Sequence, residues 1–101
     1  MTYGLKDKDI TAIKKVLAGY DAIEMAIIYG SRAKGNYKPA SDIDIAFKGT
    51  ALNTTILNKI ADQLDDLLLP YTFDLSIYHR LTNTDLIAHI ERVGKILYSK
   101  V

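Results

Sequence analysis

The sequence contains no cysteine and only two histidines, His79 and His89, both of which are expected at the surface or on a helix face. Disulfide bonds and thiolate zinc sites are therefore excluded, and two histidines cannot form a histidine-rich metal cluster. A strong excess of one charge is also missing. The formal net charge is +1 at pH 7, so strong, broad electrostatic binding to nucleic acid is not expected. Any recognition of phosphate must then be local.

Long hydrophobic runs are missing as well. No segment approaches the length of a transmembrane helix, and the residues from Met1 to Asp7 contain no apolar signal-peptide core. These absences predict a cytoplasmic protein that makes no membrane contact. The chain has 101 residues, of which 49% are hydrophobic and 25% charged. This length and composition predict one small globular domain, spanning residues 1–101.

The spacing of apolar residues predicts an α/β (α+β) fold, in which helices pack against a small mixed sheet. The predicted helices are Asp9–Leu17, a short helix at 31–34, a longer helix from Asn53 or Thr54 that stops at Pro70, and Thr82–Tyr98. The predicted strands are Ala22–Tyr29, Asp42–Phe47 and Thr72–Tyr78. Glycine at position 19 is expected to end the first helix.

Most of the polar chemistry lies between the first two predicted strands. Gly30 and Ser31 form a turn after the first strand, ten residues follow, and Asp42 and Asp44 open the second strand. Glycine lets backbone approach an anion closely, and Ser31 offers a hydroxyl and an amide at a predicted helix start. Arg32 and Lys34 follow within about one turn. They either steady a triphosphate or its leaving pyrophosphate, or are solvated loop charges.

Strand alternation groups the acidic side chains. Asp42 and Asp44 are two residues apart, so both project from one face of their strand, and Asp74 lies on the polar face of another. If the two strands are neighbours, the three carboxylates converge. Hard oxygen ligands without histidine or cysteine favour Mg²⁺, or Mn²⁺, over zinc. Asp42 and Asp44 are then the predicted bridging ligands, with Asp74 a further ligand or a general base.

The motif resembles the signature of the DNA polymerase beta-type nucleotidyltransferase superfamily. Its parts are Gly30-Ser31-Arg32, Ser41-Asp42-Ile43-Asp44 after the ten-residue spacing, and Asp74 as the third acid. The size of the chain and its closing segment, 90–98, are similar to the minimal nucleotidyltransferase (MNT) branch. The resemblance implies catalytic and metal-binding roles for Asp42, Asp44 and Asp74, and nucleotide binding by Gly30, Ser31 and Arg32.

The same resemblance implies a reaction and a partner. Members of the superfamily transfer a nucleoside monophosphate from a triphosphate and release pyrophosphate, here AMP from ATP by expectation. Minimal members commonly act as antitoxins beside a HEPN-domain ribonuclease toxin, and some adenylylate a tyrosine of that toxin. A chain this short leaves little room for a base-binding and acceptor-binding domain. We therefore expect a homo- or hetero-oligomer, in which a partner or a second copy completes the site.

Two alternatives remain open from the sequence. The chain could be a non-catalytic module that uses this fold to bind and neutralise a partner, although the clustered acids argue against a pure scaffold. It could also transfer a nucleotide to a small molecule, as antibiotic-modifying relatives do. Those enzymes generally carry an added acceptor domain, which these 101 residues do not contain.

Overall fold

The computed structural model describes residues 2–100, which form four α-helices, one 3-10 turn and four strands. In chain order these are α1 (Asp7–Ala18), β1 (Met25–Tyr29), α2 (Gly30–Lys34), β2 (Ile43–Lys48), α3 (Thr54–Asp65), β3 (Phe73–Ile77), the 3-10 turn (Tyr78–Arg80), α4 (Thr84–Val93) and β4 (Lys95–Ser99). The mixed α/β class predicted from the sequence is confirmed.

The strands form one mixed sheet in the order β3-β2-β1-β4. β1 is antiparallel to both β2 and β4, whereas β2 and β3 are parallel. A parallel pair needs a crossover connection, and α3 supplies it between β2 and β3. This topology brings β2 and β3, the strands with the acidic residues, next to each other.

One face of the sheet carries the main core. Ile43, Ile45 and Phe47 of β2 point to this face, and all three are 0% exposed. They belong to one cluster with the buried stripes of α1 and α3. The alternation predicted for β2 is therefore confirmed, because residues two apart on a strand share a face. The predicted helix cap is also present, since Ile56 N donates to Asn53 Oδ1 at 2.9 Å.

The opposite face carries a smaller apolar cluster beside the polar residues. Ile27 and Tyr29 of β1, Ala46 of β2 and Ile90 of α4 form this cluster. α4 thus packs against β1 and α2 and covers part of the face. The acids of β2 and β3 lie on the remaining part, so this side of the sheet combines a small core with an open polar surface.

The last predicted helix, Thr82–Tyr98, is wrong in its second half. α4 ends at Val93, and Lys95–Ser99 forms β4, which pairs with β1. Gly94 makes the change of direction with extended backbone angles, φ −61° and ψ 143°. A side chain there would overlap the Ile90 carbonyl oxygen and crowd Ile27. Pairing with β1 therefore overrides the helical spacing of the apolar residues.

Other boundaries shift by a few residues. β1 begins at Met25 rather than Ala22, and α3 ends at Asp65, before Pro70. Within residues 2–100 no helix has the length and apolar character needed to span a bilayer. The cytoplasmic location and the single domain at 1–101 stay predictions, and the domain's end residues, Met1 and Val101, lie outside the described residues.

Candidate active site

Three acidic side chains share the polar face of the sheet. Asp44 and Asp74 are register partners on the parallel strands β2 and β3, so their side chains stand next to each other. Asp42 lies two residues before Asp44 at the entry to β2 and therefore points to the same face. The structure thus brings together the three acids that the sequence singled out, by placing β3 next to β2.

Burial and electrostatic repulsion act together on Asp44. Burial raises the pKa of Asp44 from 3.8 to about 6, and the charges of Asp74 and Asp42 add to the rise. Asp42 and Asp74 are both exposed, whereas Asp44 is half-buried. A carboxylate with a raised pKa gains most from a nearby cation, because the cation offsets both the desolvation and the repulsion.

The Gly-Ser turn lies directly against these acids. Gly30 has φ +75°, which favours glycine, and a methyl group on its α-carbon would overlap Asp44 Oδ2. Any other residue would therefore strain the backbone and push Asp44 away. Ser31, the next residue, is half-buried at the first turn of α2. Gly30 thus allows close contact between the turn and the central acid.

His89 is a residue of this site for which the sequence suggested no role: it was expected at the surface or on a helix face, and it lies on α4. Gly30 N donates a hydrogen bond to His89 Nε2 at 3.1 Å. The imidazole also packs edge-to-face on Tyr29, with ring centroids 6.1 Å apart. The available sequence signal was weak: position 89 flanks the apolar stripe of α4, beside Ile90. Its partner is 59 residues away in the chain, so local spacing could not reveal the contact.

Tyr29 forms part of the floor of the polar face. It is 7% exposed and pairs with Asp44 across β1 and β2. Burial raises the pKa of the Tyr29 phenol, and the nearby Asp74 and Asp44 carboxylates raise it further, while the Ser76 hydroxyl opposes the rise. The phenol therefore stays neutral and protonated beside the acids.

Arg32 is placed differently from the phosphate contact predicted for it. The side chain is 2% exposed. Its Nε and Nη2 donate to the Ser41 carbonyl at 3.1 and 2.9 Å, Nη1 donates to Tyr3 O at 3.0 Å, and Nη2 also donates to Pro39 O at 3.2 Å. The guanidinium is thus occupied by backbone carbonyls and is turned into the protein.

Aromatic rings complete the surroundings of Arg32. The guanidinium carbon lies 5.4 Å from the centre of the Tyr37 ring and 5.2 Å from that of Tyr71. Ser41 immediately precedes Asp42, so Arg32 fixes the loop that delivers this acid to β2. Lys34, on the same helix α2, is exposed and can reach an anion from solvent.

The three acids have the ligand chemistry of a divalent-cation site, but their side chains are not placed to enclose an ion. Among residues 2–100, no three histidine, aspartate or glutamate side chains stand close enough to enclose an ion as they are placed. The donor set nevertheless consists of carboxylates alone, which suits Mg²⁺ or Mn²⁺. Rotation of exposed side chains such as Asp42 and Asp74 is a small change. Asp44 is the acid whose charge a bound cation would stabilise most, because burial and both neighbouring acids raise its pKa.

Comparison with protein families gives one clear match. The family model described as "Polymerase beta, Nucleotidyltransferase" matches residues 11–101, which include the turn and all three acids. No match is found among curated protein sequences.

Several solved structures share the fold. A chain of a toxin–antitoxin crystal structure with AMP-PNP is 25% identical, with a TM-score of 0.73, and the alignment covers 94% of this chain and 74% of that chain. A second match comes from the tri-AMPylated Shewanella oneidensis HEPN toxin in complex with MNT antitoxin, at 22% identity and TM-score 0.70, covering 94% and 73%. A third, from the MntA–HepT toxin–antitoxin, is 22% identical with TM-score 0.68, covering 93% and 73%.

At 22% identity the last two matches show the fold alone. The family match, in contrast, extends over nearly the whole chain and includes Gly30, Ser31, Asp42, Asp44 and Asp74. We conclude that the chain belongs to the polymerase beta nucleotidyltransferase family.

Proposed function

We propose that this chain transfers AMP from ATP to a protein acceptor in a Mg²⁺-dependent reaction, as the antitoxin of a HEPN-domain toxin. One observation carries the chemical part of the proposal. Gly30 lies against Asp44, and Asp44 is in register with Asp74. An anion-binding turn and a group of metal-grade carboxylates are therefore in direct contact, as nucleotidyl transfer requires.

Each residue has a defined task in this proposal. The Gly30–Ser31 turn binds phosphate oxygens through its amides and the Ser31 hydroxyl, and Lys34 adds positive charge. Asp42 and Asp44 would hold Mg²⁺, or Mn²⁺, which would neutralise the triphosphate and stabilise charge on the transferred group. Asp74 is a further ligand or the base that accepts the acceptor's proton. The acceptor oxygen bonds to the α-phosphorus as the bond to the pyrophosphate oxygen breaks.

The choice of a protein acceptor and partner has separate support. Asp42 and Asp74 are exposed, so a large acceptor can approach them without entering a closed cavity. The match at 25% identity is to a chain of a toxin–antitoxin structure with AMP-PNP. A further match of the same fold is to a complex of an MNT antitoxin with an AMPylated HEPN toxin. These relatives favour ATP as the donor and a HEPN protein as the acceptor.

The experiment follows label from nucleotide to protein. The chain is incubated with Mg²⁺, ATP labelled at the α-phosphate and the product of the neighbouring gene, which the proposal expects to be a HEPN-domain protein. We expect label on the HEPN protein and none when a chelator removes the metal. Asp42→Asn and Asp44→Asn should reduce transfer by about 100-fold or more, since metal-held charge stabilisation contributes several kcal/mol to the transition state. Asp62→Asn, at an exposed acid of α3, is the matched control.

The outcomes separate the three candidate functions. Absence of label, together with Asp42→Asn behaving like the unmodified chain, would refute the proposal. If Asp42→Asn and Asp44→Asn still neutralise the toxin at full strength, the chain is a non-catalytic binding module. If label appears only on an added small-molecule acceptor, the transfer reaction stands and the protein acceptor does not.

A further inference from the structure

We propose that His89 competes with the nucleotide for the Gly30 amide, and that this competition sets the affinity of the site for the triphosphate. The inference rests on the proposed function, because it assumes that a phosphate oxygen binds at the Gly30–Ser31 turn. It assigns to α4 a part in nucleotide binding, although none of the motif residues, Gly30 to Arg32, Ser41 to Asp44 and Asp74, lies on that helix.

The contact already occupies the donor that a phosphate would use. Gly30 N donates to His89 Nε2 at 3.1 Å, and α4 packs against α2. A backbone amide has one hydrogen to donate, so an imidazole nitrogen and a phosphate oxygen cannot both accept it fully. In this conformation the Gly30 amide is satisfied from within the chain.

The residues around Gly30 leave an incoming anion little room to reach the Gly30 N–H without moving His89. Asp44 lies against the α-carbon, and a carboxylate there repels a phosphate unless a cation intervenes. Tyr29, the preceding residue, contacts the His89 ring edge-to-face and so holds the imidazole at the turn. An anion that is to gain the Gly30 N–H must therefore displace His89.

Charge favours that displacement. A hydrogen bond to a charged acceptor is roughly twice as strong as one between neutral groups, so a phosphate oxygen wins over a neutral imidazole. His89 is half-buried, which leaves its side chain room to turn outward. Loss of the hydrogen bond between Gly30 N and His89 Nε2 still makes the free energy of nucleotide binding less favourable. The affinity is thus weaker than it would be with a free amide.

The test removes the acceptor while retaining an aromatic ring. His89→Phe keeps the packing against Tyr29 but cannot accept from Gly30, so a non-hydrolysable Mg²⁺–ATP analogue should bind about three- to tenfold tighter, the range set by one neutral hydrogen bond. His89→Gln, whose amide oxygen can accept, should stay near the unmodified affinity. Calorimetric titration measures binding, and inorganic tripolyphosphate should give the same order of variants.

Controls separate this effect from folding and from the proposed function. His79→Ala changes the other histidine, which is exposed on the 3-10 turn, and should leave the affinity unchanged. Thermal unfolding establishes that each variant is folded, and His89→Ala carries the same expectation if His89→Phe does not fold. Unchanged or weaker analogue binding by the folded variant would overturn the inference alone. Absence of binding by the unmodified chain would overturn the proposed function.

Discussion

The two faces of the sheet are built from the same strands but differ in what they contribute. Toward α1 and α3, β2 presents Ile43, Ile45 and Phe47, all 0% exposed. Toward the other side lie Asp42, which immediately precedes β2, and Asp44 and Ala46 of the strand; of these three residues only Ala46 is buried. The first face removes apolar surface from water, which stabilises the fold. The second face gathers like charges, which opposes folding.

This difference explains how so small a chain can hold three acids together. The apolar cluster below the sheet extends through α1, α3 and all four strands, so the position of the acids does not depend on their own interactions. Burial, with the neighbouring charges, raises the pKa of Asp44 to about 6, which means that the charged form of this acid is destabilised in the folded protein. The apolar face therefore stabilises the fold enough to hold the three acids together on the polar face.

The largest expected effect comes from breaking the apolar face. Phe47→Ala should lower the free energy of unfolding by about 3–5 kcal/mol, because it removes a fully buried ring and leaves a cavity. This is a large part of the roughly 5–15 kcal/mol typical of such domains. Asp42→Asn on the polar face should change it by less than about 0.5 kcal/mol. Urea unfolding measures both; equal losses would contradict the division between the faces.

Sequence patterns predicted the features that depend on neighbours along the chain. Alternation in β2 put Asp42 and Asp44 opposite the core, and Asn53 caps α3 as expected. Each of these depends on residues two to four positions apart, where geometry is fixed by the strand or helix itself. The turn at Gly30 was also predictable, because only glycine combines a positive φ with close contact to a side chain.

Features that depend on distant partners could not be predicted. Lys95–Ser99 continues the helical spacing of Ile90 and Val93, yet forms a strand because β1 offers it a free edge. Arg32 sits in a basic segment like a phosphate ligand, but three backbone carbonyls and two tyrosine rings surround it. The pairing of Asp44 with Asp74 depends on the adjacency of β2 and β3, which no local pattern encodes.

A smaller loss of stability is expected when Arg32, which anchors the loop that leads to Asp42, is replaced. Arg32→Lys should lower the free energy of unfolding by about 1–3 kcal/mol, since an ammonium cannot serve the Ser41, Tyr3 and Pro39 carbonyls that the planar guanidinium joins. Arg92→Lys, at an exposed arginine of α4, is the matched control and should have little effect. Urea unfolding measures both variants. An Arg32→Lys protein as stable as the unmodified chain would show that Arg32 does not anchor this loop.

The smallest expected effect tests whether the charge of Asp44 opposes folding in the metal-free protein. Because the folded pKa, about 6, lies above the ordinary value of 3.8, folding favours the protonated form. The contribution of Asp44 to stability is therefore fully present below about pH 4 and is lost as the pH rises through about 6. Asp44→Asn carries no charge and should lack this component.

The measurement is the difference in unfolding free energy between Asp44→Asn and the unmodified chain, with a chelator present. We expect the variant's relative stability to rise between pH 4 and pH 7, and to level off above that. Taking the difference cancels the carboxylates that do not interact with Asp44, because these titrate alike in both proteins. Added Mg²⁺ should then stabilise the unmodified chain at pH 8 more than the variant, because a ligand that binds only the folded state adds to its stability. A pH-independent difference would show that neither burial nor the neighbouring carboxylates raise the pKa of Asp44 in the folded protein.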